Sequence, residues 1–527
     1  MLFNSIEFIF GFLPITILGF FIIGSQPILV QKQLPLLWLV IASLFFYSWW
    51  NPLNLPLIVI SIGFNYALGY FLSNHQELSL PRKSLLILGV LVNLALIGYF
   101  KYANFAIDNV NYLLKTDFDL GTIALPLAIS FFTFQQIAYL VDAYQGATKE
   151  YSFLKYILFV SFFPQLIAGP IVHHKDVLPQ FKKKSLYRFS SQCLAIGLTV
   201  FVAGLFKKVV FADRIAEFAN LAFNAASQGI PLTFSEAWTG ALAYSLQLYF
   251  DFSGYSDMAI GAAYMFGIKL PINFNSPYQS ISIIDFWRRW HITLSNFLRD
   301  YLYIPLGGNR KGNFRRYLNL LITMLLGGLW HGAGWSFVFW GGLHGVYLII
   351  NHQWRAFRNW LGHDLRQDNW LLYGIGWFVT FIAVIVAWVV FRADSLNTAK
   401  AIISAMIGIN GIALPSFLAS KLGFLQSLGI TFNGFTQEVG IRQFYSVFGI
   451  MLLLAIAWFT PNTQQWMDKY SPTLTPAKVY NEYSWFHKLF KHLHWRPNKV
   501  WSAILACLTA TSLLCFTRIS QFLYFQF

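Results

Sequence analysis

Apolar residues come in long runs separated by short polar links. The runs fall near 8–24, 34–50, 53–72, 84–100, 125–144, 154–172, 190–206, 238–267, 317–350, 371–391, 443–460 and 499–517. A run of roughly 20 apolar residues forms a helix that spans a ~30 Å hydrocarbon layer. Barrel strands would be shorter and would alternate in polarity. The pattern predicts an all-α polytopic membrane protein of about 10–12 transmembrane helices. No internal repeat is visible, so residues 1–527 read as a single integral-membrane domain.

The polar links set the expected orientation. Residues 1–7 carry no Lys or Arg, and the first run is followed by Lys32, as for an uncleaved first span with its N-terminus outside. The link at 50–54 is uncharged and suits the outer side, whereas Arg82 and Lys83 suit the cytoplasm. The 154–172 run contains Pro164, Gly169 and Pro170, and links suited to the cytoplasm flank it on both sides. It is therefore expected to be re-entrant. Residues 101–120 are mixed and predict a surface helix. Residues 282–303 combine Trp, Phe and Leu with Arg288, Arg289 and Arg299, which predicts an amphipathic interfacial helix. Ser282 and Asp285 match a helix-capping pattern at its start. Pro305 and Gly307-Gly308 end it, and the basic 309–316 stretch should face the cytoplasm.

Composition agrees. The chain is 57% hydrophobic and 11% charged, with a net charge of +16. The basic residues sit between apolar runs, where they set topology and meet lipid headgroups, so they do not signal nucleic acid. Cys193, Cys507 and Cys515 lie in apolar runs and suggest neither a disulfide framework nor a zinc site.

One stretch stands out for chemistry, Leu325-Leu-Gly-Gly-Leu-Trp-His-Gly-Ala-Gly-Trp335. In a helix begun at Tyr317, His331 would lie about 20 Å along its length, inside the hydrocarbon layer. An ionisable group at that depth points to function. Gly327, Gly328, Gly332 and Gly334 allow close backbone approach or a broken helix beside a cavity. A tightly packed crossing with a neutral His explains the stretch equally well.

Ten further histidines are present. His75, His173, His174, His352, His363, His487, His492 and His494 lie in polar links or at run edges, and most of them are expected to be solvated. His344 is expected to pack. His291 follows Phe286-Trp-Arg-Arg-Trp290 and can point from a surface helix into a cavity. Asp251 and Asp257 interrupt apolar surroundings and need cationic partners, for which the arginines of the next segment are candidates. Asp117-Phe-Asp119 has the D-x-D form that holds a metal in some glycosyltransferases, but two acids in a polar loop are more commonly solvated. No P-loop, nucleophile elbow or H-E-x-x-H pair occurs. No bound cofactor or metal is expected.

Four stretches occur in a telling order: Phe162-Phe-Pro-Gln-Leu-Ile-Ala-Gly-Pro-Ile171, Asp251-Phe-Ser-Gly-Tyr-Ser-Asp257, Asp285-Phe-Trp-Arg-Arg-Trp-His-Ile-Thr-Leu-Ser295 and Gly328-Leu-Trp-His-Gly-Ala333. Together they resemble the membrane-bound O-acyltransferases, in particular the bacterial branch of alginate O-acetylation proteins. Val389-Val-Phe-Arg-Ala393 extends the match, and the family-like core covers about residues 120–400.

The resemblance implies re-entrant and interfacial helices around a central tunnel. It implies that His331 and His291 are the catalytic positions, with His331 as general base. Trp290 and Trp330 would shape the tunnel. Asp285, Arg288, Arg289 and Asn296 are further candidates for its lining, although the acid and the arginines suit ion pairs that fix the helix. It also implies an acyl thioester such as acetyl-CoA as donor substrate, a glycan acceptor, an extracytoplasmic acetyltransferase or esterase-like partner, and a bacterial cytoplasmic membrane as location. Three rivals remain at this point: a transporter or flippase, which should show repeated halves; a glycosyltransferase using Asp117 and Asp119; and a scaffold in which His331 merely packs.

Overall fold

The computed structural model describes residues 1–74, 81–147, 152–167, 169–363, 370–433, 443–475, 494–516 and 523. Among the described residues there is no β-strand, only two isolated bridges, Leu270 with Thr473 and Ala413 with Thr431. The protein is an all-α polytopic membrane protein. Glu7–Gly24, Pro52–Ser73, Arg82–Leu114, Ser191–Ser227 and Trp370–Arg392 are long and apolar enough to cross a membrane, and Leu34–Ser48, Tyr445–Phe459 and Lys499–Leu514 are shorter apolar helices.

The Phe234–Met265 helix organises the bundle. Thr233 and Glu236 close a reciprocal capping box at its start, and its 32 residues rise about 48 Å. Small residues let it pack closely against the Ser191–Phe206 helix. A Cβ built on Gly204 would lie 2.5 Å from the Gly254 carbonyl oxygen, and one on Gly261 would lie 2.5 Å from that of Gly197. Two helices whose backbones approach so closely gain packing that apolar side chains alone do not supply in lipid.

Long-range contacts define two ends of the bundle. At one end Arg82 donates to the Tyr144 carbonyl at 2.7 Å, and Gln180 donates to that of Lys269 at 2.9 Å. The Lys182–Lys184 and Arg310–Arg316 stretches adjoin this basic end. At the other end Tyr47 reaches the Leu127 carbonyl, Lys101 reaches that of His331, and Trp335 reaches Asn109.

Several expectations change. The Phe153–Ser161 helix has 9 residues, about 13 Å, and is followed by a four-residue turn of helix at Phe163–Leu166. Neither piece alone is long enough to cross a ~30 Å layer. The expected interfacial helix over 282–303 is not one helix. Ser282 does cap its start, accepting from the Asp285 amide, but the first piece is only Ile283–Trp287. A second runs from Ile292 to Leu298 and passes into a π-helical turn at Arg299–Tyr303. Phe286, Trp290, Leu294, Phe297 and Leu298 are buried, so this broken segment dips into the protein from the basic end and does not lie on its surface.

Asp251 and Asp257 do not pair with the arginines that follow them. Lys208 lies 2.5 Å from Asp251 and 2.7 Å from Asp213, and Lys207 lies 2.7 Å from Asp257. Both lysines sit in a π-helical turn, Lys207–Ala212, where the ladder's wider winding turns two consecutive cations inward.

Candidate active site

His331 is the last residue of the Gly312–His331 helix. The chain turns at Gly332-Ala333-Gly334 and returns as the Trp335–Trp360 helix. His331 is thus at a helix terminus near the non-basic end, not partway along a longer helix as the hydrophobic run suggests. Glycine explains how the two helices of this hairpin meet. A Cβ on Gly328 would strike the Phe337 carbonyl, and one on Gly341 would strike that of Met324.

The helix end is held from outside. Lys101 Nζ donates to the Trp330 carbonyl at 2.6 Å and to the His331 carbonyl at 3.0 Å. The Tyr102 hydroxyl donates to the Leu329 carbonyl at 2.8 Å. These are three of the carbonyls that a helix leaves unmatched at its C-terminus, and a cation there also offsets the negative end of the helix dipole. Lys101 and Tyr102 belong to another π-helical turn, Gly98–Tyr102. The His331 ring is walled by Trp330 at 4.8 Å, Trp340 at 5.2 Å and Phe391 at 5.3 Å between centroids. Trp335, the other tryptophan of the motif, is exposed at the turn.

His291 occupies the break in the dipping segment. Its φ of 42° is left-handed, an unfavourable conformation for a residue with a side chain. Tertiary contacts hold it there. The Asn275 amide donates to the Arg289 carbonyl and the Ile292 amide to the Asn273 carbonyl, both at 2.9 Å. His291 Nδ1 lies 3.1 Å from Asn273 Oδ1, and its ring meets Phe252 edge-on at 4.8 Å. Thr293 donates to the same Asn273 oxygen, and its hydroxyl accepts from the Ile171 amide.

Trp330 joins the two histidines. Its ring lies 6.3 Å from His291 and 4.8 Å from His331, and it stacks on Phe134 at 5.4 Å. Beside it a cavity of about 120 Å³ is lined by Lys101, Leu125–Phe131 and Ile167. Two imidazoles on separate elements are thus both buried against one indole, and an imidazole can take up and release a proton.

The other candidates divide. Trp290 is buried, stacked on Phe286 and packed on Trp388, one layer behind His291. Asp285 and Arg289 pair at 2.9 Å and lock the first short helix. Arg288 is exposed and Asn296 half-buried, and neither is brought to the histidines by a hydrogen bond among the described residues. Asp117 and Asp119 are exposed, and Asp119 serves a local turn by accepting from the Gly121 amide. His174 is not solvated as expected but buried, 3.5 Å from Asp142, which also accepts from the Tyr301 hydroxyl. His344 is packed as expected. Trp287 donates to its Nδ1, and Trp340 lies between it and His331. His75, His487 and His492 lie outside the described residues.

Lys101, Asn273, Trp340 and Phe391 join the site without having been singled out individually. A cation at the very end of the 84–100 apolar run was the one available signal for Lys101. Nothing local marks Asn273.

Comparison with known proteins gives the family. The sequence profile of the MBOAT, membrane-bound O-acyltransferase family matches residues 143–391, a stretch that holds both histidines and Trp330. The chain is 49% identical to a "Peptidoglycan O-acetyltransferase" of Helicobacter pylori, over 79% of this chain and 81% of that protein. It is 42% identical to a "Probable alginate O-acetylase AlgI" of Pseudomonas putida, over 84% of this chain and 88% of that protein. A "Teichoic acid D-alanyltransferase" of Streptococcus thermophilus is 29% identical over 50% of this chain and 68% of its own length. The chain belongs to the membrane-bound O-acyltransferase family.

Proposed function

We propose that the protein transfers an acetyl group from a cytoplasmic acyl thioester, such as acetyl-CoA, to a hydroxyl on the far side of a bacterial cytoplasmic membrane. The hydroxyl belongs to a cell-envelope glycan or to a partner protein that completes the transfer. The relatives named for peptidoglycan and alginate acetylation support a glycan acceptor. The basic end of the bundle faces the cytoplasm by the positive-inside rule.

His331 is the general base in this reading. The acceptor oxygen bonds the acyl carbon, the carbon–sulfur bond breaks, and the hydroxyl proton passes to the imidazole and then to the departing thiolate. An imidazole ring nitrogen can take the proton from the hydroxyl and give it up to the thiolate. Burial of the ring among Trp330, Trp340 and Phe391 limits access of water to the thioester and so its hydrolysis. The observation that carries the reading is that His331 and His291, from separate elements, both pack against Trp330.

The test uses purified full-length protein with radiolabelled acetyl-CoA, wild type beside His331→Ala. Release of free CoA and label on protein or glycan should occur with wild type and vanish in the variant. An active His331→Ala protein removes the base assignment. No turnover by wild type, even with an outer-side partner and glycan present, removes the acetyl-transfer reading.

A further inference from the structure

The hydrogen bonds around Asn273 decide which nitrogen of His291 carries its proton. Three groups converge on the Asn273 side-chain oxygen. The Thr293 amide lies 3.3 Å away, the Thr293 hydroxyl 2.9 Å, and His291 Nδ1 3.1 Å. A main-chain amide can only donate, so the Asn273 atom it meets is the oxygen and not the nitrogen. The amide's other atom, Nδ2, faces the Ser256 hydroxyl at 3.3 Å and donates to it. The orientation of Asn273 is therefore fixed by its neighbours on both sides.

An amide oxygen accepts and never donates. His291 Nδ1 must then bear the hydrogen. A neutral imidazole carries one N–H, so Nε2 is left with a bare lone pair. That atom is buried and has no hydrogen-bond partner among the described residues. The Thr293 hydroxyl, having donated to Asn273, accepts from the Ile171 amide at 3.0 Å. It ties the same unit to the backbone at Ile171.

We propose that Asn273 is a positioning residue. It holds His291 in the Nδ1–H form and presents bare Nε2, on the ring edge turned away from Asn273, to the substrate. The proposal deepens the acyl-transfer reading and rests on it only for the identity of the substrate. In this form His291 meets an O–H or N–H of the bound molecule. It cannot donate to the oxyanion of a tetrahedral intermediate, a task left to other groups.

The experiment is nitrogen-15 NMR of full-length protein in lipid nanodiscs with ring-labelled histidine. The His291 signals are assigned by their loss in His291→Gln. Wild type should show a protonated Nδ1 and an unprotonated Nε2. Asn273→Ala should move part of the population to the Nε2–H form. Asn273→Asp, which keeps an accepting oxygen, should keep Nδ1 protonated. Release of CoA from radiolabelled acetyl-CoA should fall on the order of 10²-fold in Asn273→Ala, the scale of a mispositioned acid–base group, and be largely kept in Asn273→Asp.

An Nε2–H ring in wild type overturns the proposal, and so does a ring spectrum unchanged by Asn273→Ala. If Asn273→Ala does not fold, the wild-type and Asn273→Asp spectra decide alone. The expected spectra in a protein that never turns over acetyl-CoA would uphold the role of Asn273 and reject the acetyl-transfer reading.

Discussion

The ammonium of Lys101 donates to the main-chain carbonyl of His331, 230 residues further along the chain. One side chain thus ties the C-terminal end of the Arg82–Ile97 helix, through its π-helical extension, to the residue proposed as the centre of the chemistry. Lys101→Met leaves those carbonyls without their donor. It should lower stability by about 1.5–3 kcal/mol, the range for a hydrogen bond to a charged group. It should also lower acyl transfer, because the His331 backbone loses its anchor. Lys101→Arg should lose less of both. Thermal unfolding in detergent, read beside turnover, checks this. Unchanged values for Lys101→Met would show that Tyr102 alone suffices.

His331→Ala and His291→Ala should separate chemistry from folding. Both should insert and express as wild type does. Loss of the first should reduce turnover by on the order of 10²–10⁴-fold, the usual contribution of a general base. Loss of the second should reduce it less. Full activity in His291→Ala would return that residue to a structural role.

Lys208 and its two aspartates predict a different kind of failure. Lys208→Met strands Asp251 and Asp213 in a buried site and should cost about 3–5 kcal/mol. The triple replacement Lys208→Met, Asp251→Leu and Asp213→Leu should recover much of that loss, because the charges leave together. Folded yield and unfolding temperature report on both. A triple variant as unstable as the single one would mean that the ions do more than neutralise one another.

Two glycines of the hairpin can be told apart. Gly341→Ala puts a methyl against the Met324 carbonyl and should destabilise by about 1–3 kcal/mol or more. Gly334→Ala meets only Phe337, at 3.6 Å, in an extended backbone that any residue adopts, and should be neutral. Equal effects at the two positions, measured by unfolding temperature, would contradict the packing described here.

Much of this molecule was legible in its sequence, where the signal was local. The Ser282 cap, the short and proline-broken 153–166 segment and the close backbone contact at Gly328 follow from neighbouring residues. Membership of the family was legible from four ordered motifs. What could not be read was set by distant partners. The lysines that neutralise Asp251 and Asp257 come earlier in the chain, from the 207–212 turn, and no spacing rule links them. Continuous amphipathic patterning over 282–303 hid a break at His291. A left-handed histidine is locally unfavourable and exists because Asn273 and Asn275 hold the strand-like pairing beside it. The end of the helix at His331 was hidden in the same way, since the apolar run continues through the turn.

The aromatic box around His331 has an electrical consequence. A membrane can store energy as a proton gradient, and a membrane protein that buries two titratable rings is a candidate short circuit. Trp330, Trp340 and Phe391 surround His331, and Trp340 stacks on Trp388 at 5.7 Å. Packed rings of this kind carry no chain of hydroxyls along which a proton can hop. On these three sides a proton held by His331 therefore has no onward path through the ring wall itself.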